Sequence, residues 1–119
     1  MKLAQSLAET RGVAGLAALR RPTSADLALA RFYARVLRTN ACSVRDLTLT
    51  GWRGGEAWIG RLREAKSEFD LEQELRDADR FGSWLNKKTR VRGAKAALVR
   101  LAELRGEVLA AEEIDALGG

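Results

Sequence analysis

Three glycines set between two apolar-periodic segments constrain this chain more than any other feature of it. Val44 and Leu47 give a short helical face, Gly51 and Gly54–Gly55 follow, and Trp58, Ile59, Leu62 and Ala65 then recur at helical spacing. Glycines in such a connection allow positive φ and let the second helix approach the first closely. Arg61, Arg63 and Lys66 occupy the other sides of that second helix. The expected unit is a short helix, a tight turn and a basic helix.

The flanking segments read as support for this unit. Pro22 breaks the chain, and Thr23 or Ser24 can cap the helix that follows. Over 25–39, Leu29, Phe32, Tyr33, Val36 and Leu37 fall on one face, while Arg31, Arg35 and Arg38 form a second stripe expected to be solvated. Asn40 suits a left-handed cap, and Ser43 can cap the short helix 44–48. Residues 2–21 give one or two short helices whose Leu3, Leu7, Val13, Leu16 and Leu19 cover the core.

Residues 68–91 admit two readings. Phe69, Leu71, Gln73 and Leu75 alternate with Asp70, Glu72, Glu74 and Arg76, which is strand periodicity. A turn at 77–82 and a return strand at 83–91 would complete a β-hairpin. The alternative is a helix through Leu71, Leu75 and Ala78 with Glu72 and Arg76 one turn apart. The alternation favours the hairpin. After Gly93, Ala97, Leu98, Leu101 and Leu104 give a helix over 94–105, which Gly106 interrupts or ends. The amphipathic tail 107–117 then packs on the N-terminal helices or forms a dimer seam.

Charge is distributed unevenly. Residues 1–66 hold twelve Lys/Arg against five Asp/Glu, residues 67–79 one against six, residues 80–105 eight against one, and residues 106–119 four acids and no base. Two basic regions separated by an acidic one, with a net charge of +5, suit an anionic partner. Cys42 is the single cysteine and there is no histidine. An intrachain disulfide, a Cys/His zinc site and histidine-based catalysis are therefore excluded. The glycine turn lacks the Walker and dinucleotide spacings, so it is not expected to cradle a nucleotide. Acid pairs such as Asp77/Asp79 and Glu112/Glu113 sit in polar runs and read as solvated, so neither an enzyme nor a cofactor is expected. No apolar run approaches the ~18 residues of a membrane span, and no secretory signal pattern opens the sequence. A cytoplasmic protein is the expectation.

The order of these elements is that of a winged helix-turn-helix. The segment from Ala57 to Ala65, followed by Phe69-Asp70-Leu71, resembles small winged-helix domains of phage and mobile-element DNA-binding regulators. Ala57, Ile59, Leu62, Arg63, Phe69 and Leu71 occupy the places of their third helix and first wing strand. The resemblance covers roughly residues 25–91. It implies a third helix in the major groove and a hairpin on flanking phosphates or the minor groove.

The expected fold is thus mainly α with a small β-hairpin: an N-terminal helical extension (1–22), a winged helix-turn-helix (23–92) and a C-terminal helical segment (93–119) able to dimerise. The expected function is sequence-specific or semi-specific binding of double-stranded DNA, as a transcriptional regulator or recombination accessory factor. Arg45, Trp52, Arg53, Arg61, Arg63 and Lys66 would serve the recognition helix and its turn. Arg80, Lys87, Lys88, Arg90 and Arg92 would serve the wing. Two alternatives stand beside it. One is a phage-type inhibitor or adaptor (anti-CRISPR-like) that docks a protein partner on the acidic 68–79 stretch and the tryptophans. The other is a DNA-packaging or assembly component that acts as an oligomer through its C-terminal helices.

Overall fold

The structure, a computed structural model, describes residues 2–10, 21–38, 55–81, 85 and 87–117. Among them are six α-helices: α1 (Lys2–Thr10), α2 (Ser24–Arg38), α3 (Glu56–Glu64), α4 (Glu68–Phe81), α5 (Lys87–Leu104) and α6 (Ala111–Asp115). The short helix expected at 44–48 and the turn Gly51–Gly54 lie outside the described residues.

α2 begins at a reciprocal cap. The Asp26 N–H donates to the Thr23 hydroxyl at 3.2 Å, and the Thr23 N–H donates to Asp26 Oδ2 at 2.9 Å. Thr23, rather than Ser24, is therefore the cap. The face read from the sequence is the buried one: Leu29, Phe32, Tyr33 and Val36 are each at most 2% exposed. α2 packs on α4 and α5, while α3 wedges between α4 and α5.

Trp58 is the centre of that wedge. It is fully buried, its ring meets Phe32 at 5.5 Å between centroids in a tilted arrangement, and its Nε1–H donates to the Glu74 carbonyl at 3.3 Å. Across from it stands Gly93 of α5. A methyl group at position 93 would overlap the Trp58 ring, so the glycine is a socket for the indole and the helix runs through it.

The β-hairpin expected over 68–91 is corrected. The described residues contain no strand, and Glu68–Phe81 is a helix. Burial explains why the alternation misled. A strand that buried Leu71 and Leu75 would bury Phe69 with them, yet Phe69 is 65% exposed, whereas Leu71, Leu75 and Ala78 are inside. That is helical spacing. Ser67 caps the helix through its hydroxyl to the Asp70 N–H at 3.2 Å, and Arg76 pairs with Glu72 one turn back at 2.9 Å. Residues 87–91, expected as a return strand, are the first turns of α5. Without a hairpin there is no wing, and the winged helix-turn-helix architecture falls with it.

α5 ends at Gly106. The Glu107 N–H reaches back to the Ala102 carbonyl at 2.8 Å, the Gly106 N–H to Glu103 at 3.0 Å, and Gly106 has φ +70°. This is a left-handed stop. The tail expected over 107–117 therefore does not continue α5, and Val108 is 94% exposed. α6 packs on α1 and α5, with Leu117 fully buried. One cluster of buried side chains, from Leu3 through Trp58 and Leu98 to Leu117, runs through all three expected segments.

Candidate nucleic-acid interface

Acidic α4 is the reference for deciding which cations remain available. Glu74 accepts two hydrogen bonds from Arg61 Nε, each of 3.1 Å, which ties α3 to α4. Asp79 meets Arg35 of α2 at 3.4 Å. Glu68, at the start of α4, takes two bonds from Arg105 just beyond α5, at 2.9 and 3.0 Å. Arg105 also lies 2.9 Å from Asp26 Oδ1, an ion pair that lacks hydrogen-bond alignment, and donates to the Thr23 hydroxyl at 3.1 Å. The hydrogen bond from Arg105 holds the Glu68 carboxyl below its ordinary range, and Glu68 in turn raises Arg105. The stretch expected as a docking surface for a protein partner is thus largely engaged with this chain's own arginines.

The expected site residues fall into three groups. Arg45, Trp52 and Arg53 lie outside the described residues. A second group is used in the fold: Arg61 by Glu74, and Arg90, which is 7% exposed and donates from Nε to the Leu85 carbonyl at 3.0 Å. Burial lowers the pKa of Arg90, and its guanidinium is withdrawn from any phosphate. The third group is solvent-facing: Arg63 on α3, Lys66 beyond its end, Arg80 in the last turn of α4, and Lys88 and Arg92 on α5, with Lys87 half-buried.

Part of this third group converges. A groove of about 500 Å³ runs between α3, α5 and α6. Ala96, Val99 and Ile114 contribute its apolar lining, and Arg63, Arg92, Lys95 and Arg100 its cations; Glu103 is the acid among its lining residues. Arg92 bridges to Glu56 at 2.7 Å, and that bond holds the Glu56 carboxyl below its usual range. Arg100 caps the end of α3 through the Ala65 carbonyl at 2.7 Å. Lys88 precedes Arg92 by one turn and extends the same stripe. Among the described residues, Arg63, Lys88 and Lys95 form no ion pair with an acid.

No family model, curated protein or solved structure matches the chain. The chemistry of the face therefore rests on its own residues. Lys95 and Arg100 were not among the expected contacts, because the sequence placed the start of this helix after Gly93. Read from Lys87, the spacing 88, 92, 95 and 99 marks one outward stripe, and three of those four positions are cations.

Proposed function

We propose that this chain binds double-stranded DNA, without a catalytic role, through the outer face of α5 and the adjoining Arg63 of α3. The observation that supports this reading is the stripe itself. Lys88, Arg92 and Lys95 lie along one helix beside Arg63, and three of these four cations have no acid partner among the described residues. From Lys88 to Arg100 the helix rises about 18 Å, which corresponds to roughly five base-pair steps along a duplex strand. Such a row meets successive phosphates. Base edges are contacted less, because Trp58, Ile59 and Leu62 of α3 are buried and Arg61 is held by Glu74. Phosphate contacts set position and affinity, whereas base contacts set sequence choice. The binding is accordingly sequence-tolerant.

The test is a fluorescence-anisotropy titration of mixed-sequence duplex at several salt concentrations. Four phosphate contacts weaken binding by about two decades between 50 and 200 mM salt. Binding that is absent at low salt, or that shows no salt slope, would remove DNA as the partner.

A further inference from the structure

A second groove, of about 700 Å³, lies between α2 and α4 and shares no lining residue with the first. Arginine dominates its walls. Arg31 and Arg35 stand one turn apart on α2, and Arg76 and Arg80 stand one turn apart on α4. Four guanidiniums thus border one concavity that two carboxylates, Asp77 and Asp79, also line.

The internal pairs here are open to exchange. Arg35 donates to the Asp79 carbonyl at 3.3 Å and meets its carboxylate at 3.4 Å with its own side chain 57% exposed, and Arg76 holds Glu72 while 61% exposed. Exposed pairs of this kind contribute little. Arg31 is exposed and has no acid partner among the described residues. Like charges one turn apart on a helix repel, and a polyanion in the groove adds to the partial relief that Asp79 and Glu72 give Arg35 and Arg76. Guanidinium is the donor suited to the task, since its planar fork gives two parallel bonds to a phosphoryl group. Side chains one turn apart have Cβ atoms about 5–6 Å from each other. Linked phosphoryl groups offer more acceptor oxygens over a longer span than a single phosphate, and so match guanidiniums on two walls better.

We propose that the α2/α4 groove binds a compact polyphosphate, two or three linked phosphoryl groups held by Arg31 and Arg35 on one wall and by Arg76 and Arg80 on the other. The proposal does not depend on the DNA reading, because the residues are different.

Calorimetric titration of the full chain with inorganic tripolyphosphate at low salt tests it. One ligand binds per chain, and the double substitution Arg31→Ala/Arg76→Ala weakens it by about tenfold or more. Lys88→Ala/Lys95→Ala on the other face changes it by less than about twofold. Arg31→Gln/Arg76→Gln, which keeps most of each stem, gives the same loss, and circular-dichroism melts establish that both arginine variants fold. A parallel titration with ATP separates the two sources of such a ligand: equal affinity means that only the phosphate chain is read, and tighter ATP binding means that the nucleoside adds contacts. Absence of binding overturns the proposal, as does equal displacement by sulfate at matched ionic strength. It also falls if the arginine variants lose duplex affinity as strongly as the lysine variant, because the groove would then belong to the DNA surface. Loss of duplex binding with tripolyphosphate binding intact would instead sink the DNA reading alone.

Discussion

The two sides of α5 put the same charge to opposite uses. Toward the interior, Arg90 bonds the Leu85 carbonyl, and Arg105 beyond the helix end closes on Asp26 and Glu68. Toward solvent, Lys88, Arg92 and Lys95 line up beside Arg63, and only Arg92 has an acid partner among the described residues. A net charge therefore overstates what a protein offers a polyanion. What matters is the charge left after the internal acids, here mostly those of α4, have taken their partners. The inner set holds the helices together, and the outer set, Arg92 apart, has no acid partner among the described residues.

The strongest way to break this division is Arg105→Met. Asp26 is 4% exposed and would stay behind with its charge uncompensated. Loss of one member of a buried pair costs about 3–5 kcal/mol. Because Arg105 keeps 24% of its side-chain exposure, the lower figure applies. The expected result is a melting temperature lower by more than about 10 °C, with duplex affinity retained where the variant is folded. Melting like that of the parent would show that the inner set does not hold the fold.

Gly93→Ala comes next. The overlap with Trp58 costs about 1–3 kcal/mol by overpacking, against a gain of up to ~1 kcal/mol in helix propensity. Urea midpoints in a double-mutant cycle with Trp58→Leu should show the alanine to be harmful only when the indole is present. An equal cost in both backgrounds would place the damage elsewhere.

A smaller effect is expected from pH. The folded Glu68 carboxyl titrates below its unfolded value of about 4.3. Its contribution is therefore complete above that value and is lost as pH falls through the lower, folded one. Glu68→Gln should flatten the acid limb of a stability profile below about pH 4.3, by less than ~1 kcal/mol because the side chain is 35% exposed. An unchanged acid limb would mean that another carboxylate controls it.

Lys88→Ala/Lys95→Ala should have the least effect on stability, within about 0.5 kcal/mol. It should nevertheless lower duplex affinity for every sequence and reduce the salt slope by about two. An unchanged slope would remove the outer stripe from the contact surface.

Much of the helical framework was legible in the sequence, because burial follows the 3.6-residue period closely in α2 and α3. The periodicity over 25–39 and from Trp58 to Ala65 matches α2 and α3 to within two residues at each end. α4 was not. In Phe69-Asp70-Leu71-Glu72-Gln73-Glu74-Leu75, alternation and helical spacing share Leu71 and Leu75, and only Phe69 distinguishes them. A large aromatic left in water is what misdirects a reading based on hydrophobicity. The decisive local signal was polar: Ser67 and Asp70 at cap spacing, with acids filling the first turn. Gly93 hid the start of α5 for a related reason, since a residue that weakens an isolated helix is here the one that leaves room for Trp58. The candidate face was legible only as a list of cations. Which of them carry partners depends on pairings such as Arg61 with Glu74 and Arg105 with Asp26, and no local pattern encodes those.

The glycine at position 93 has one more consequence. It lets the far end of the Trp58 ring on α3 reach the backbone of α5, and the same two helices carry Arg63 on one side and Arg92 and Lys95 on the other. The missing methyl group is thus a gauge for a distance measured at the surface. A size series at this position would act as a graded wedge that spreads the charges before it unfolds the protein. The core would then tune the spacing of the cations on that face, although none of its own side chains lies there.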